Sequence, residues 1–197
     1  MNDKPRLSPI PPRQWSGTAR EAIAILSPEA SKIGLDPSDD THVHNLVCTQ
    51  LHHPDLMKRY FPFLQFLLRE GSLSPRYREL AILRVAWLRQ AEYEWTQHVL
   101  IARKAGIADN EIRRLTNTET DLENPIEACV VRAVDELIRS ARIAEETWNR
   151  LAPDLGAKGM VELIHVVGNY DMIAMFMNST GLELEADLED ARFARFA

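Results

Sequence analysis

Apolar residues recur at helical spacing along this chain from Ser16 onward, and hardly any run alternates in the way that indicates a β-strand. Pro, Gly and Asp turn signals separate the segments. The pattern predicts an all-α fold with helices at residues 17–26, 42–51, 54–70, 75–89, 91–105, 109–116, 125–141, 145–152 and 157–178. Pro62 should kink or split the third helix, because proline lacks the amide that a helix interior needs.

The two ends of the chain differ from this helical body. Residues 1–15 contain four prolines, which predicts an extended arm that lies on the body or on a neighbouring subunit. Residues 16–197 contain no obvious linker and are of single-domain size, so we expect one domain there. The acidic C-terminal stretch LELEADLEDARFARFA is compatible with a short helix or a docking segment.

Charge and cysteine content narrow the choice of partner and compartment. The net charge is −6, and Lys and Arg are scattered among acids, which disfavours nucleic acid and anionic membranes as partners. The apolar stretch 163–180 is interrupted by His165, Asn169 and Asp171, so a buried helix is favoured over a membrane span. Cys48 and Cys129 form no disulfide or metal-binding pattern, and no signal peptide is apparent; we therefore expect a cytoplasmic protein.

An acidic residue stands out in the helix predicted at 75–89. This helix is apolar almost all round, and Glu79 shares a face with aliphatic residues. A carboxyl group buried there must be paired or carry a raised pKa. Two interpretations remain open, a structural salt bridge to Arg76, Arg78 or another helix, and a functional carboxyl group.

The next helix places two more titratable groups toward an apolar sector. Glu94 and His98 are four residues apart and therefore lie on one side of it. A carboxylate beside an imidazole can fix its tautomer and suit it for acid–base chemistry near neutral pH. The same pair could instead satisfy itself inside the core.

Other polar residues are weaker candidates. Glu162, His165 and Asn169 form a stripe within the helix at 157–178, which could be a second wall of the site or a packing contact. His53 precedes a helix start, where capping is a sufficient role. The remaining histidines, including His42, lack the spacing of a metal site, and no phosphate loop is present, so we predict no metal and no cofactor.

The segment RYRELAILRVAWLRQAEYEWTQHVLIARKAGI resembles the signature of the carboxymuconolactone decarboxylase family, which includes the alkyl hydroperoxidase D-like proteins. The resemblance continues more loosely over most of residues 40–182 and also includes His53. It implies an alkyl hydroperoxidase D-like helical bundle that assembles into homo-oligomers, as trimers or hexamers. In relatives with a similar C-terminal half, a histidine often replaces Asn169.

The resemblance also implies what the site lacks. Hydroperoxidase D-like members carry a Cys-x-x-Cys-x-x-x-His motif with a preceding Glu, and these positions fall on Ala91, Glu94, His98 and Glu79. Because both cysteines are replaced, thiol-dependent peroxidase activity is not expected. The pattern of Glu92, Glu94 and His98 resembles the cysteine-free decarboxylase branch.

The expected function is therefore that of a cofactor-free lyase or isomerase acting on a small, carboxylated, lactone-like metabolite, in aromatic-compound catabolism. His98 would move the proton, Glu94 would orient it, and Glu79 would be a second acid or base. Arg78 and Arg84 are the first candidates to hold a substrate carboxylate. His53, His165 and Asn169 are further candidate pocket residues. A thiol-dependent antioxidant enzyme, a metal-dependent enzyme and a non-catalytic binding or assembly protein are the alternatives.

Overall fold

The computed structural model describes residues 5–36, 41, 43–118, 122–185 and 188, and these residues form α-helices and turns without a β-strand. The helices are α1 Gly17–Leu26, α2 Asn45–Gln50, α3 Pro54–Gln65, α4 Pro75–Leu88, α5 Glu92–Lys104, α6 Asp109–Arg114, α7 Pro125–Ser140 and α8 Glu145–Thr180. The predicted all-α fold is confirmed. The predicted segment at residue 42 and the C-terminal stretch beyond residue 188 lie outside the described residues.

The chain forms two compact units. The first consists of Met1–Gly71 with Ser179–Glu185, and the second of Ser72–Asn178 with Ala186–Ala197. All predicted site residues except His53 are in the second unit. The expectation of one domain stays a prediction.

In the first unit, α1 packs against α3. The segment at residues 5–15 lies on this unit, where the amide of Ile10 donates to the Cys48 carbonyl and the Trp15 indole donates to the Ile10 carbonyl. Its extended backbone is interrupted by a short 3₁₀ turn at Pro12–Gln14. Pro62 does not end α3; the helix continues to Gln65 and then widens into a π-helical turn.

In the second unit, α4 is the central element. Every residue of α4 from Arg78 to Ala86 is buried, and the helix packs against both α5 and α7. Its start follows from local chemistry, because the Ser74 hydroxyl accepts from the Tyr77 amide and Pro75 occupies the first helical position. One hydrophobic cluster of this unit comprises Leu80, Leu83, Ala86, Trp95, Val99, Ala102, Ile107, Ile112, Leu115, Leu122 and Val131.

The turn from α4 to α5 depends on an unusual backbone conformation. Gln90 has a φ of 52°, in the left-handed region that side-chain-bearing residues seldom adopt. The turn is closed by hydrogen bonds from the amides of Gln90 and Ala91 to the Trp87 and Ala86 carbonyls. This pattern caps α4 as a Schellman motif and folds α5 back along it.

Helix α8 joins two segments that the sequence predicts as separate helices. The break falls at Gly156, whose φ of 63° and ψ of 177° are not helical. The helix is long and apolar enough to meet a length-and-composition test for a membrane span, but 56% of its most apolar window is buried within the protein. Burial of this kind is typical of a core helix.

Arg84 connects α4 to α7 and to the chain that follows α6. Its Nε and Nη2 atoms donate to Asp135 at 2.6 and 3.0 Å, and Nη1 donates to the carbonyls of Leu115 and Asn117 at 2.6 and 2.8 Å. All three guanidinium nitrogens are therefore used inside the protein. This arrangement gives Arg84 a structural role and argues against the predicted role in holding a substrate carboxylate.

Replacing Arg84 with lysine should lower the free energy of unfolding by about 2 kcal/mol, because an ammonium group cannot reproduce the forked set of hydrogen bonds. Urea denaturation would measure this change. The matched control is Arg103→Lys, in an exposed ion pair with Asp109, which should change stability by less than about 0.5 kcal/mol. Equal effects of the two substitutions would contradict the structural role of Arg84.

Candidate functional site

The candidate site is built around a hydrogen bond between α4 and α5. Glu79 is fully buried, and its Oε2 atom lies 2.7 Å from Nδ1 of His98. We assign the proton of this hydrogen bond to Nδ1, because a carboxylate oxygen accepts hydrogen bonds and does not donate them. The Glu79 carboxylate therefore sets the tautomer of His98 and directs Nε2 away from the pair.

The second ring nitrogen of His98 is chemically available. Among the described residues, none forms a hydrogen bond with Nε2. The ring is held by an edge-on contact with Tyr170 of α8, at 5.0 Å between ring centres and 88° between planes. His98 is thus fixed in orientation while one nitrogen remains free to accept a proton.

Arg78 engages the other oxygen of Glu79. Its Nε atom is 3.3 Å from Oε1, so the carboxylate lies between a guanidinium and an imidazole. The alternative partner predicted from the sequence, Arg76, instead binds Glu127 and Glu111. Glu79 therefore forms the predicted salt bridge to Arg78 and also binds His98. Its role as a functional carboxyl group stays a prediction.

Glu94 has a different environment from the one predicted. It is 2% exposed, and neither carboxyl oxygen has a hydrogen-bond partner among the described residues. Burial raises the pKa of Glu94 well above its usual value, and the nearby charge of Asp171 raises this pKa further. The hydrogen-bond partner of His98 is Glu79 and not Glu94, because the side chain that reaches Nδ1 comes from the facing helix.

Two residues near Glu94 were not predicted as part of the site. Asp171 of α8 forms an ion pair with Arg89, which follows α4, and both carboxylate oxygens take part. In the sequence, Asp171 is visible only as an interruption of an apolar run. Arg89 carries no local signal, because its partner is distant along the chain.

The predicted stripe on α8 separates into residues with different roles. Glu162 accepts hydrogen bonds from the amide and hydroxyl of Ser72 and from the amide of Leu73, so it supports the entry to α4. His165 is exposed and bonds to the carbonyl of Val161 in its own helix, whereas Asn169 is buried. The stripe is not one continuous wall, and the contact with His98 is made by Tyr170. Substrate roles for His165 and Asn169 stay predictions.

The remaining histidine candidate lies in the first unit. His53 caps α3, where its Nδ1 atom accepts from the Leu56 amide at 3.3 Å. This is the capping role that the sequence suggests, and its substrate role stays a prediction. Within the described ranges, no group of three or more His, Cys, Asp or Glu side chains has the arrangement of a metal site.

The two cysteines have the properties of unreactive thiols. Both are free and buried, and they lie in different units. Burial raises the pKa of Cys48 to about 11 and also raises the pKa of Cys129. Redox cysteines require a lowered thiol pKa, so neither residue has the environment of a reactive thiolate.

Comparisons with known proteins agree with this architecture. A family model of the carboxymuconolactone decarboxylase family matches residues 54–136. The fold is similar to an uncharacterised peroxidase-related protein with an alkylhydroperoxidase AhpD core from Ralstonia eutropha JMP134, with a TM-score of 0.72 and 15% identity over 92% of this chain and 94% of that one. No curated protein matches the sequence.

A second solved structure supports the same fold. It is a protein of unknown function from Agrobacterium tumefaciens, which has been related to the antioxidant defence protein AhpD. The TM-score is 0.62, with 14% identity over 69% of this chain and 94% of that chain. The segment that matches the carboxymuconolactone decarboxylase family model contains Glu79, Glu94 and His98, and the chain has an AhpD-like helical fold.

Proposed function

We propose that this protein is a cofactor-free lyase or isomerase that moves a proton on a small, carboxylated, lactone-like metabolite. The observation that carries the proposal is the buried hydrogen bond between Glu79 and Nδ1 of His98, which leaves Nε2 without a partner among the described residues. The match of residues 54–136 to the carboxymuconolactone decarboxylase family model supports the choice of substrate class.

In this proposal, His98 is the general base. Its Nε2 atom removes a proton from a substrate carbon next to a carbonyl group, and the ring becomes an imidazolium. The ionised Glu79 stabilises that positive charge through Nδ1 and keeps the ring in position. The sequence suggested that Glu94 orients His98. In this proposal, Glu79 has that role.

Arg78 is the proposed anchor for the substrate carboxylate. Only its Nε atom is used by Glu79, and no described residue accepts a hydrogen bond from its terminal nitrogens. A guanidinium with two free terminal nitrogens matches the geometry of a carboxylate. Arg84 lacks this capacity because its nitrogens are occupied within the protein.

Replacing His98 with glutamine should abolish proton transfer. Wild-type protein in heavy water is expected to exchange carbon-bound hydrogen, or to release carbon dioxide, from at least one member of a panel of carboxylated γ-lactones and small di- and tricarboxylates. Proton NMR detects both outcomes. Loss of a positioned general base should slow the reaction by about 100-fold or more.

The control for this experiment is His52→Gln, which alters an exposed histidine that bonds to the Ser8 carbonyl in the first unit. It should retain full activity. Equal activity of the His98→Gln protein and wild type would refute the proposed base. Failure of wild-type protein to act on any member of the panel would refute the substrate class.

The thiol-dependent alternative gives an opposite expectation. We predict that a Cys48→Ala, Cys129→Ala double variant retains wild-type proton transfer and shows no change in peroxide consumption, because both thiols are buried with raised pKa values. An absorbance assay of peroxide measures the second property. A peroxidase activity that disappears in the double variant would establish thiol chemistry. The free thiols also support the proposal of a cytoplasmic location.

We also propose that the chain forms homo-oligomers through α8. Exposed Val161, Ile164, Met172 and Met175 recur at helical spacing around Gly168, where an added Cβ atom would meet no neighbouring atom. The same face of a second copy could pack against it with close helix approach. The family resemblance supports a trimer or hexamer.

Met172→Glu should therefore reduce the assembly mass, because it would place a charge inside an apolar contact. Light scattering after size-exclusion chromatography measures this mass. Lys158→Glu, a charge change at an exposed position of the same helix, is the control. A wild-type monomer, or an unchanged mass for Met172→Glu, would contradict this interface.

A further inference from the structure

Glu94, in the second unit, is a buried carboxyl group whose hydrogen-bonding capacity is not satisfied by the described residues. Its side chain is in the first turn of α5, is 2% exposed, and has no hydrogen-bond partner for either oxygen among the described residues. An ionised carboxylate in that setting would lose its hydration and gain nothing in return. A neutral carboxylic acid avoids most of this cost and retains a proton that it can donate.

The charged groups around Glu94 favour the same state. The negative charge of Asp171 on α8 opposes ionisation of Glu94. Arg89, at the end of α4, pairs with Asp171 and partly offsets this effect. On α5 itself, His98 follows one turn later, with its Nδ1 proton already committed to Glu79. The site therefore combines an imidazole nitrogen and a separate acid, neither of which has a hydrogen-bond partner among the described residues.

We propose that Glu94 is the proton donor of this site and protonates a carbonyl or lactone oxygen of the bound substrate while His98 removes a proton from the adjacent carbon. Asp171 is the positioning residue that keeps Glu94 protonated. This inference rests on the proposed function. It also narrows the substrate to compounds in which an acidic C–H bond is next to an oxygen that can accept a proton.

The proposed step balances without an oxidant or cofactor. The O–H bond of Glu94 and the C–H bond of the substrate break, and a new O–H bond to the substrate oxygen and an N–H bond at Nε2 of His98 form. The substrate becomes an enol, and the C–H electron pair becomes its new carbon–carbon π bond. Return of protons to Glu94 and from His98 completes an isomerisation or prepares loss of a carboxylate as carbon dioxide.

Two groups with opposite protonation states suit this step. Efficient proton transfer at one pH needs a base that is free and an acid that is still protonated. In this chain, the base has one ring nitrogen without a partner among the described residues, whereas the acid is enclosed and lies near a second carboxylate. Since both Glu94 oxygens are shielded from solvent, the proton leaves efficiently only when a ligand, or water that enters with it, reaches the group.

Infrared difference spectroscopy of the whole chain tests directly whether the Glu94 carboxyl group is protonated. Wild-type protein at neutral pH should show the carbonyl band of a buried neutral carboxylic acid, and Glu94→Gln should remove it. In Asp171→Asn, the band should disappear at a lower pH, because a negative charge that opposes ionisation has been removed. The matched control is Asp109→Asn, at an exposed ion pair of the same unit, which should leave the band unchanged.

The donor role is tested by the exchange reaction used for His98. Glu94→Gln should retain substrate binding and lose at least about 10-fold in rate, because it keeps the shape but not the proton. Activity of wild-type protein should fall as pH rises through the pKa of Glu94, and this fall should occur at lower pH in Asp171→Asn. Asp171→Asn keeps Glu94 in place, so its pH profile still tests the donor role if Glu94→Gln does not fold.

The outcomes separate this inference from the function on which it rests. Exchange by wild type with an equal rate in Glu94→Gln would overturn the donor role and leave His98 as the base. Two infrared results would overturn the claim that Glu94 is kept protonated. One is a spectrum that shows Glu94 ionised at neutral pH, and the other is a band that disappears at the same pH in Asp171→Asn as in wild type. Absence of exchange in wild type would overturn both proposals.

Discussion

The hydrogen bond between Glu79 and His98 is the constraint on which the rest of the second unit depends. An acid in the middle of a buried helical stretch must obtain its hydrogen bonds from side chains that can reach it or remain neutral. Here Arg78 supplies one donor from α4 itself, and His98 supplies the other from α5. The packing of α5 against α4 is consequently specified by a polar contact as well as by apolar burial. Removing either partner would leave a charge inside the core, which is far more costly than losing an exposed ion pair.

The same reasoning explains why polar residues occur on α8, which otherwise has an apolar composition. Glu162 binds the chain that leads into α4, Tyr170 contacts the ring of His98, and Asp171 pairs with Arg89. Each of these groups is joined to the α4–α5 hairpin at a different point. Helix α8 therefore contacts the α4–α5 hairpin at separate points and does not form one continuous pocket wall.

The helices could be predicted where their signals are local. Ser74 with Pro75 marks the start of α4, and the corresponding Asn124 and Pro125 mark the start of α7, because a cap and a first-turn proline act within a few residues. The turn at Gln90 could not be predicted in the same way. Glycine is the residue expected in the left-handed region, and here two backbone hydrogen bonds close the turn around a residue that carries a side chain.

Site residues were recognisable from the sequence, but their pairing was not. Helical spacing correctly places Glu79 in the interior and Glu94 and His98 on the apolar side of their helix. Spacing along one helix cannot show that the closer carboxylate for His98 comes from the facing helix. It also cannot reveal that Arg84 is occupied by a distant Asp and two carbonyls, since those contacts arise only after the chain folds.

Glu94 occupies the position where the resemblance to hydroperoxidase D-like proteins places a second cysteine, and its surroundings decide which of the two side chains they would suit. A thiol-based site needs a low thiol pKa, which a buried position beside the Asp171 carboxylate would oppose. The same environment favours a protonated carboxyl group, because burial and the neighbouring charge both raise its pKa. The surroundings of Glu94 are thus unfavourable for a thiolate and favourable for a neutral acid. This physical difference, more than the absence of a sulfur atom alone, supports the proposal of proton transfer beside His98.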